Sequence, residues 1–226
     1  KGTEHILQAC KEAGVSQYLH MSALGAGKVP ASLYSRTKGE AESRVRQSSL
    51  NWTIFRPSIV YGEGDSFFNK FKAMTTLLPV LPVIAGDTRF QPVWVEDVAR
   101  AFVTSIGNHH VKGQIYALGG PKDYSFMELM RLLMNSLGRC RLLIPVPHFA
   151  AKMMAMFMQL LPTPPLTPDQ LKLLQHDNIV DGEPFPTIFG EPASLEAVLP
   201  TYIANGQAGR LQKLLDNSRT RYRQGR

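Results

Sequence analysis

Apolar positions in the first half of the chain alternate between helical and strand rhythm at short intervals. Residues 1–13 place Ile6, Leu7 and Cys10 on one helical face, and Gly14 supplies a C-terminal stop. Val15 to Met21 reads as a short strand, followed by a Gly- and Ala-rich loop from Ala23 to Ser32. A helix is expected from about Leu33 to Gln47, with Tyr34, Thr37, Ala41 and Val45 on one face and Glu40, Glu42, Arg44 and Arg46 on the other. After a turn at Ser48 to Asn51, the β-branched and aromatic run Trp52 to Phe55 predicts a strand that runs on into Arg56 to Gly62. Phe67, Phe71 and Met74 mark a helix, and Leu77 to Ala85 reads as a Pro-broken apolar loop. A strand at Phe90 to Val93, a helix at Glu96 to Ile106 and a strand at Gln114 to Leu118 follow.

The second half is more helical and richer in proline. Ser125-Phe126-Met127-Glu128 is a capping box that opens a helix closed by Gly138. Leu142 to Ile144 predicts a strand, and Phe149 to Leu161 an apolar helix. Thr167-Pro168-Asp169-Gln170 is a second capping box, opening a helix to about Gln175, and a last helix starts near Ser194. Strands alternating with helices at this spacing predict right-handed βαβ units and a mainly parallel sheet, an α/β fold.

Composition narrows the class. With 226 residues, 44% hydrophobic and 19% charged, the chain is of globular type. No apolar stretch reaches the roughly 18 residues of a transmembrane helix. Cys10 and Cys140 lie far apart without metal-type neighbours, and they are expected to be buried thiols of a reducing, cytoplasmic protein. His109-His110 reads as a loop dipeptide, and no metal site is expected. The net charge of +7 owes much to Arg210, Lys213, Arg219, Arg221, Arg223 and Arg226, a solvated tail with attraction to anionic lipid or an acidic partner as the sharper alternative. Basic and aromatic residues do not interleave as nucleic-acid binding requires. Met153, Met154, Met156 and Met158 are read as core, with a docking surface as the alternative.

Ser22, Tyr34 and Lys38 are the candidate chemistry. Tyr34 and Lys38 are four apart and share a helix face. An ammonium nearby favours the phenolate of a tyrosine whose ordinary pKa is about 10, so the pair can move a proton to or from an alcohol or carbonyl. Ser22 ends a predicted strand, at the carboxyl edge where open α/β sheets bind ligands. His20 reads as a packed histidine, Asp65 as a helix-capping turn residue, and Glu96 and Asp97 as acids of a first helical turn.

These residues carry a family resemblance. Ser22, then Tyr34-Ser-Arg-Thr-Lys38-Gly-Glu40, then Phe55-Arg56-Pro57-Ser58-Ile59-Val60-Tyr61-Gly62, then Arg89 to Ala99, resemble in order and spacing the markers of the extended or atypical short-chain dehydrogenase/reductase family, which includes the NAD-dependent epimerases and dehydratases. His20 to Ala26, Gly64-Asp65-Ser66-Phe67 and Leu78 to Pro82 are similar to the branch containing bacterial relatives of the nucleotide-binding accessory subunit of respiratory complex I. The resemblance runs from Lys1 to about Leu199. It implies an incomplete Rossmann-like, doubly wound sheet, because the family's opening strand and Gly-rich turn have no counterpart here and roughly four strands would precede Lys1. It implies residues 1–121 as the end of an NAD(P)-binding domain, with a substrate-side loop over 62–92. Residues 122–205 would be a smaller substrate or docking region, and 206–226 a basic tail.

The implied roles are residue by residue. Tyr34 is the acid/base, Lys38 its modulator and ribose contact, and Ser22 the substrate-oxygen partner. Met21 and Ala23 line the cofactor, and Pro57, Ser58 and Ile59 contact the nicotinamide. Arg89 and Gln91 face the substrate. The expected cofactor is NAD or NADP, bound by the full-length protein. The expected partners are respiratory-chain subunits or the membrane surface, with peripheral attachment at the inner face of the cytoplasmic membrane. An active oxidoreductase or epimerase on a sugar-nucleotide, sterol-like or quinone-like substrate is the alternative, and a purely structural interaction protein a third.

Overall fold

A computed structural model describes residues 2–147, 150 and 167–204. The methionine-rich segment and the basic tail lie outside the described residues. Helix α1 (Gly2–Glu12) leads to strand β1 (Tyr18–Met21), and helix α2 (Leu33–Gln47) to strand β2 (Trp52–Pro57). Gly14, at φ +63°, ends α1 where a side chain would be strained. β1 is shorter than expected because Val15 to Gln17 belong to the turn.

β1, β2 and β7 (Ile115–Leu118) form a parallel sheet in the order β1-β2-β7, with Met21 opposite Phe55 and Arg56 opposite Ala117. The chain is therefore α/β with the parallel crossover expected of the sequence pattern. The strand expected at Phe90 to Val93 divides at Gln91-Pro92 into β5 (Arg89–Phe90) and β6 (Val93–Trp94). β6 pairs in parallel with β3 (Val60–Tyr61), and β5 pairs antiparallel with β8 (Tyr124–Ser125).

Helix α3 (Phe68–Leu77) ends before β4 (Val80–Ile84), which pairs in parallel with β9 (Leu142–Val146). This corrects the loop expected over 77–85. The prolines suggested a break, but among the described residues β4 has a single neighbour, and an edge strand tolerates a missing N–H. Leu81 and Val83 then alternate into the interior, as period-two burial requires.

Helices α4 (Val95–Ser105), α5 (Phe126–Leu137), α6 (Pro168–Leu173) and α7 (Leu195–Ile203) complete the described regular elements, with short 3-10 turns at His109–Val111 and Thr187–Phe189. Both capping boxes form, at Ser125 with Glu128 and at Thr167 with Gln170. One apolar core joins α3, α5 and α7 through Phe68, Leu129, Leu133, Leu195 and Leu199. A second lies against the parallel sheet through Phe55, Val98, Leu118, Phe185 and Phe189.

Three smaller expectations need correction. Cys140 is exposed and Cys10 only half-buried, so neither is a core thiol. The buried side of α2 is Ser35, Glu42 and Val45, so Glu42 leaves the solvent face its charge suggested. Asp97 does more than stabilise its helix start: it is buried, accepts from Ala193 N at 2.8 Å and pairs with Arg100.

Candidate nucleotide and substrate site

The carboxyl ends of β1 and β2 open into a cavity of about 1060 Å³. The backbone continues the sheet for a few residues: Ser22 N donates to Phe55 O at 2.7 Å, and Leu24 N to Pro57 O at 2.8 Å. This fixes Met21, Ser22 and Ala23 on one side of the opening and Pro57, Ser58 and Ile59 on the other, and all six line the cavity.

Tyr34 and Lys38 come from α2 and line the same cavity. Lys38 Nζ stands 5.9 Å from the centroid of the Tyr34 ring and 3.5 Å from Met21 O. Close approach of α2 to the loop before it requires a glycine: a Cβ at Gly39 would lie 2.8 Å from Gly27 Cα. The helix start is held from outside. Asp169 of α6 accepts from Leu33 N at 2.8 Å, Tyr34 N at 3.2 Å and Ser32 Oγ at 2.9 Å. Burial opposes its charge, but those hydrogen bonds outweigh it and hold the carboxyl below its ordinary range.

The electrostatics differ from the simple tyrosine–lysine expectation. Desolvation pushes the Tyr34 phenol above its ordinary value, so without further charge it stays protonated. Ser22 is almost fully buried, and its Oγ donates to Glu42 Oε1 at 2.5 Å. Glu42 in turn receives Arg56 Nε at 2.9 Å and a second guanidinium bond on its other oxygen. Burial raises the pKa of Glu42, yet the bonds from Arg56 and Ser22 win and leave it below its ordinary value, hence ionised. His20 lies beside this group, half-buried, with Nε2 unpartnered. Burial and then Lys38 lower its pKa against the opposing pull of Glu42.

Arg89 and Gln91 lie outside the cavity wall. Arg89 is exposed and pairs with Asp123. Gln91 is buried as a fold contact, giving Nε2 to Gly120 O at 2.9 Å and taking Val180 N at 2.8 Å. Asp65 caps the start of α3, accepting from Gly62 N and Asn69 N, and also receives Tyr202 Oη at 2.6 Å.

Sequence reasoning missed Glu42, Arg56, Asp169 and Asn178. Glu42 extends the four-residue ladder of Tyr34 and Lys38 by one more turn, and that spacing was the available signal. Asn178 had none. It ties the segment after α6 across the site, taking Ser58 Oγ at 2.7 Å on its side-chain oxygen and giving Nδ2 to Leu24 O at 3.0 Å. Among the described residues, no group of three or more histidines, cysteines and acids could hold a metal. No described helix is long and apolar enough to cross a membrane.

Residues 1–80 match the NAD(P)H-binding family. The chain is 32% identical over 163 residues to the mitochondrial NADH dehydrogenase [ubiquinone] 1 alpha subcomplex subunit 9 of Mus musculus, covering 72% of this chain and 43% of the relative. This chain is homologous to the complex I alpha subcomplex subunit 9 over those 163 residues. It spans less than half the length of that relative. The fold is shared with an NADPH-dependent quinone oxidoreductase from Escherichia coli, at TM-score 0.72 and 17% identity over 89% of this chain and 72% of the other. It is shared as well with a nucleoside-diphosphate-sugar epimerase from Staphylococcus aureus, at TM-score 0.69 and 20% identity over 88% and 69%.

NAD or NADP is thus the cofactor class of this homologue. The residues present fit the nicotinamide end of such a molecule. Pro57 and Ile59 offer apolar surface beside the opening, and the Lys38 ammonium and Tyr34 hydroxyl line the same cavity.

Proposed function

We propose that this homologue serves as an NAD(P)H-binding accessory protein of the respiratory chain that retains a proton-transfer site at Ser22, Tyr34 and Lys38. In this reading residues 1–121 form the nucleotide side and 122–205 the substrate or docking side. Residues 206–226 are a basic tail that favours an acidic partner or the inner face of the cytoplasmic membrane. The observation that carries it is the convergence of those three side chains with Met21, Ala23 and Pro57 to Ile59 around one cavity at the sheet's carboxyl edge.

A bound nicotinamide supplies or takes up hydride, which no side chain can carry. The chain's own residues do the rest. Lys38 holds the ribose end and favours charge on the Tyr34 oxygen, against the desolvation that keeps it protonated. Tyr34 holds the proton that a ligand oxygen would share. Ser22, which lines the same cavity, would contact that oxygen. The raised phenol and the commitment of Ser22 to Glu42 favour a nucleotide that is held more than turned over.

The second reading is an NAD(P)-dependent oxidoreductase or epimerase, favoured by retention of all three groups. The full-length gene product decides between them by NADPH binding, followed by alcohol-dependent NADPH formation from NADP in wild type and Tyr34→Phe. Tight binding without turnover supports the accessory role. Turnover lost in Tyr34→Phe supports the enzyme. Absence of binding overturns both.

A further inference from the structure

Two stretches of the chain, residues 66–86 and 129–168, contain no aspartate or glutamate, although the sequence holds 18 of them. Both carry basic residues, Lys70 and Lys72 in the first and Arg131, Arg139, Arg141 and Lys152 in the second. The fold brings the described parts of the two together. The end of α3 and all of β4 come from the first stretch, and β9 comes from the second. β4 and β9 pair with Val80 opposite Leu142 and Pro82 opposite Ile144. Leu81 and Val83 are buried in the core, so the period of two turns Val80 and Pro82 outwards.

The outward face is apolar and open at this end. Leu77, the last residue of α3, is 84% exposed and Leu142 is 62% exposed, with Leu78, Val80 and Ile144 exposed as well. Leu142 N donates to Pro79 O at 3.3 Å, which holds the start of β9 against the turn between α3 and β4. Apolar side chains gathered on three joined ends form a patch rather than the single scattered leucines of an ordinary surface. Its rim is positive. Arg139 donates to Thr75 Oγ1 at 2.6 Å and Thr76 Oγ1 at 3.0 Å, and Arg141 Nε donates to Thr75 O at 3.0 Å. These bonds tie both guanidinium groups to the last turn of α3, next to Leu77. Among the described residues their partners are hydroxyl and carbonyl oxygens, not carboxylates, so the charges are not cancelled. A guanidinium has five N–H donors, and those left over match phosphate oxygens.

We propose that this face docks on an anionic lipid leaflet, with the exposed side chains of Leu77, Leu78, Val80, Leu142 and Ile144 entering the headgroup boundary and Arg139 and Arg141 meeting lipid phosphates. The choice of lipid rests on charge. A protein partner presents charges of both signs, whereas a leaflet rich in acidic lipid is negative throughout and suits a face from which acids are missing. Apolar insertion combined with electrostatic attraction is how a surface-bound protein holds such a leaflet. The inference rests on the membrane reading of the docking side above and assigns the surface that makes the contact.

The test floats the full-length gene product with vesicles of one part phosphatidylglycerol to two parts phosphatidylcholine, and with vesicles of phosphatidylcholine alone. The wild type binds the anionic vesicles more tightly. Each basic group near such a surface contributes roughly fivefold, so Arg139→Gln with Arg141→Gln lowers anionic binding about 25-fold. Leu77→Gln with Leu142→Gln lowers it about tenfold or more, through lost apolar insertion. Both leucines are exposed, so this second variant keeps the thermal unfolding midpoint of the wild type, and it decides if the arginine variant does not fold. Residues 206–226 are present throughout. If either folded variant binds as the wild type does, the contact is made elsewhere, for instance by that tail, and the proposal is overturned while the membrane reading stands. Equal wild-type affinity for the two vesicles overturns it as well. A wild type that stays off both vesicles overturns the proposal together with the membrane reading and leaves the face to a protein partner.

Discussion

Arg56→Met tests the charge network that underlies the site. The substitution keeps most of the side chain's length and removes the guanidinium from a Glu42 whose side chain is only 4% exposed. Ser22 remains as its one neutral donor. Stranding a buried charge costs about 3–5 kcal/mol. Arg56 is itself 30% exposed, so water screens part of the loss, and about 2–3 kcal/mol is expected at pH 7. In the wild type the folded pKa of Glu42 lies below its unfolded value. The pair therefore stabilises the fold above the unfolded pKa and loses that contribution as the pH falls through the folded one. In Arg56→Met desolvation acts with little opposition, so the folded pKa moves above the unfolded value, and the penalty fades as acid neutralises the carboxyl. Urea unfolding at pH 7 and at about pH 4, near the unfolded pKa of glutamate, reads this out as a shrinking difference between the two proteins. The double variant Glu42→Leu with Arg56→Met should cost less than Arg56→Met alone, since no charge is left behind. A loss below about 1 kcal/mol at pH 7, or a difference that does not shrink in acid, would refute the reasoning.

Three further outcomes follow from the same geometry. Gly39→Ala places a methyl 2.8 Å from Gly27 Cα and should destabilise by about 1–3 kcal/mol, measured as a fall in the urea midpoint, because both partners are backbone. Asp169→Ala removes three acceptor contacts at the start of α2, and hydrogen exchange of the Leu33 and Tyr34 amides should quicken roughly fivefold while NADPH affinity changes little. Asn178→Ala unties Ser58 and Leu24 and should weaken ligand binding at the cavity without altering the secondary structure seen by circular dichroism.

Much of this protein was legible in one dimension. The spacing of Tyr34 and Lys38, the run from Phe55 to Gly62 and the two capping boxes depend on local periodicity and local hydrogen bonds, which sequence encodes directly. The parallel order of β1, β2 and β7 follows from alternating strands and helices, because short crossovers leave few other topologies. Where β4 was concerned the local signal misled: prolines read as a break until pairing with β9 showed them on an edge. Gln91 shared a segment with a family marker, but its burial and its bonds to Gly120 and Val180 come from contacts distant in sequence.

What only the tertiary structure decided is the electrical state of the site. Glu42 sits on α2 among other charges and looks solvated in sequence, and only the approach of β1 and β2 brings Ser22 and Arg56 to its two oxygens. Asp169 and Asn178 lie more than a hundred residues from Tyr34 and Ser58, and no periodicity links them. A hydrogen bond of 2.5 Å and a buried carboxylate are long-range consequences of packing, and they fix which way a proton points. The sequence determined which groups could do chemistry here. Their burial and partners determined which of them donates and which accepts.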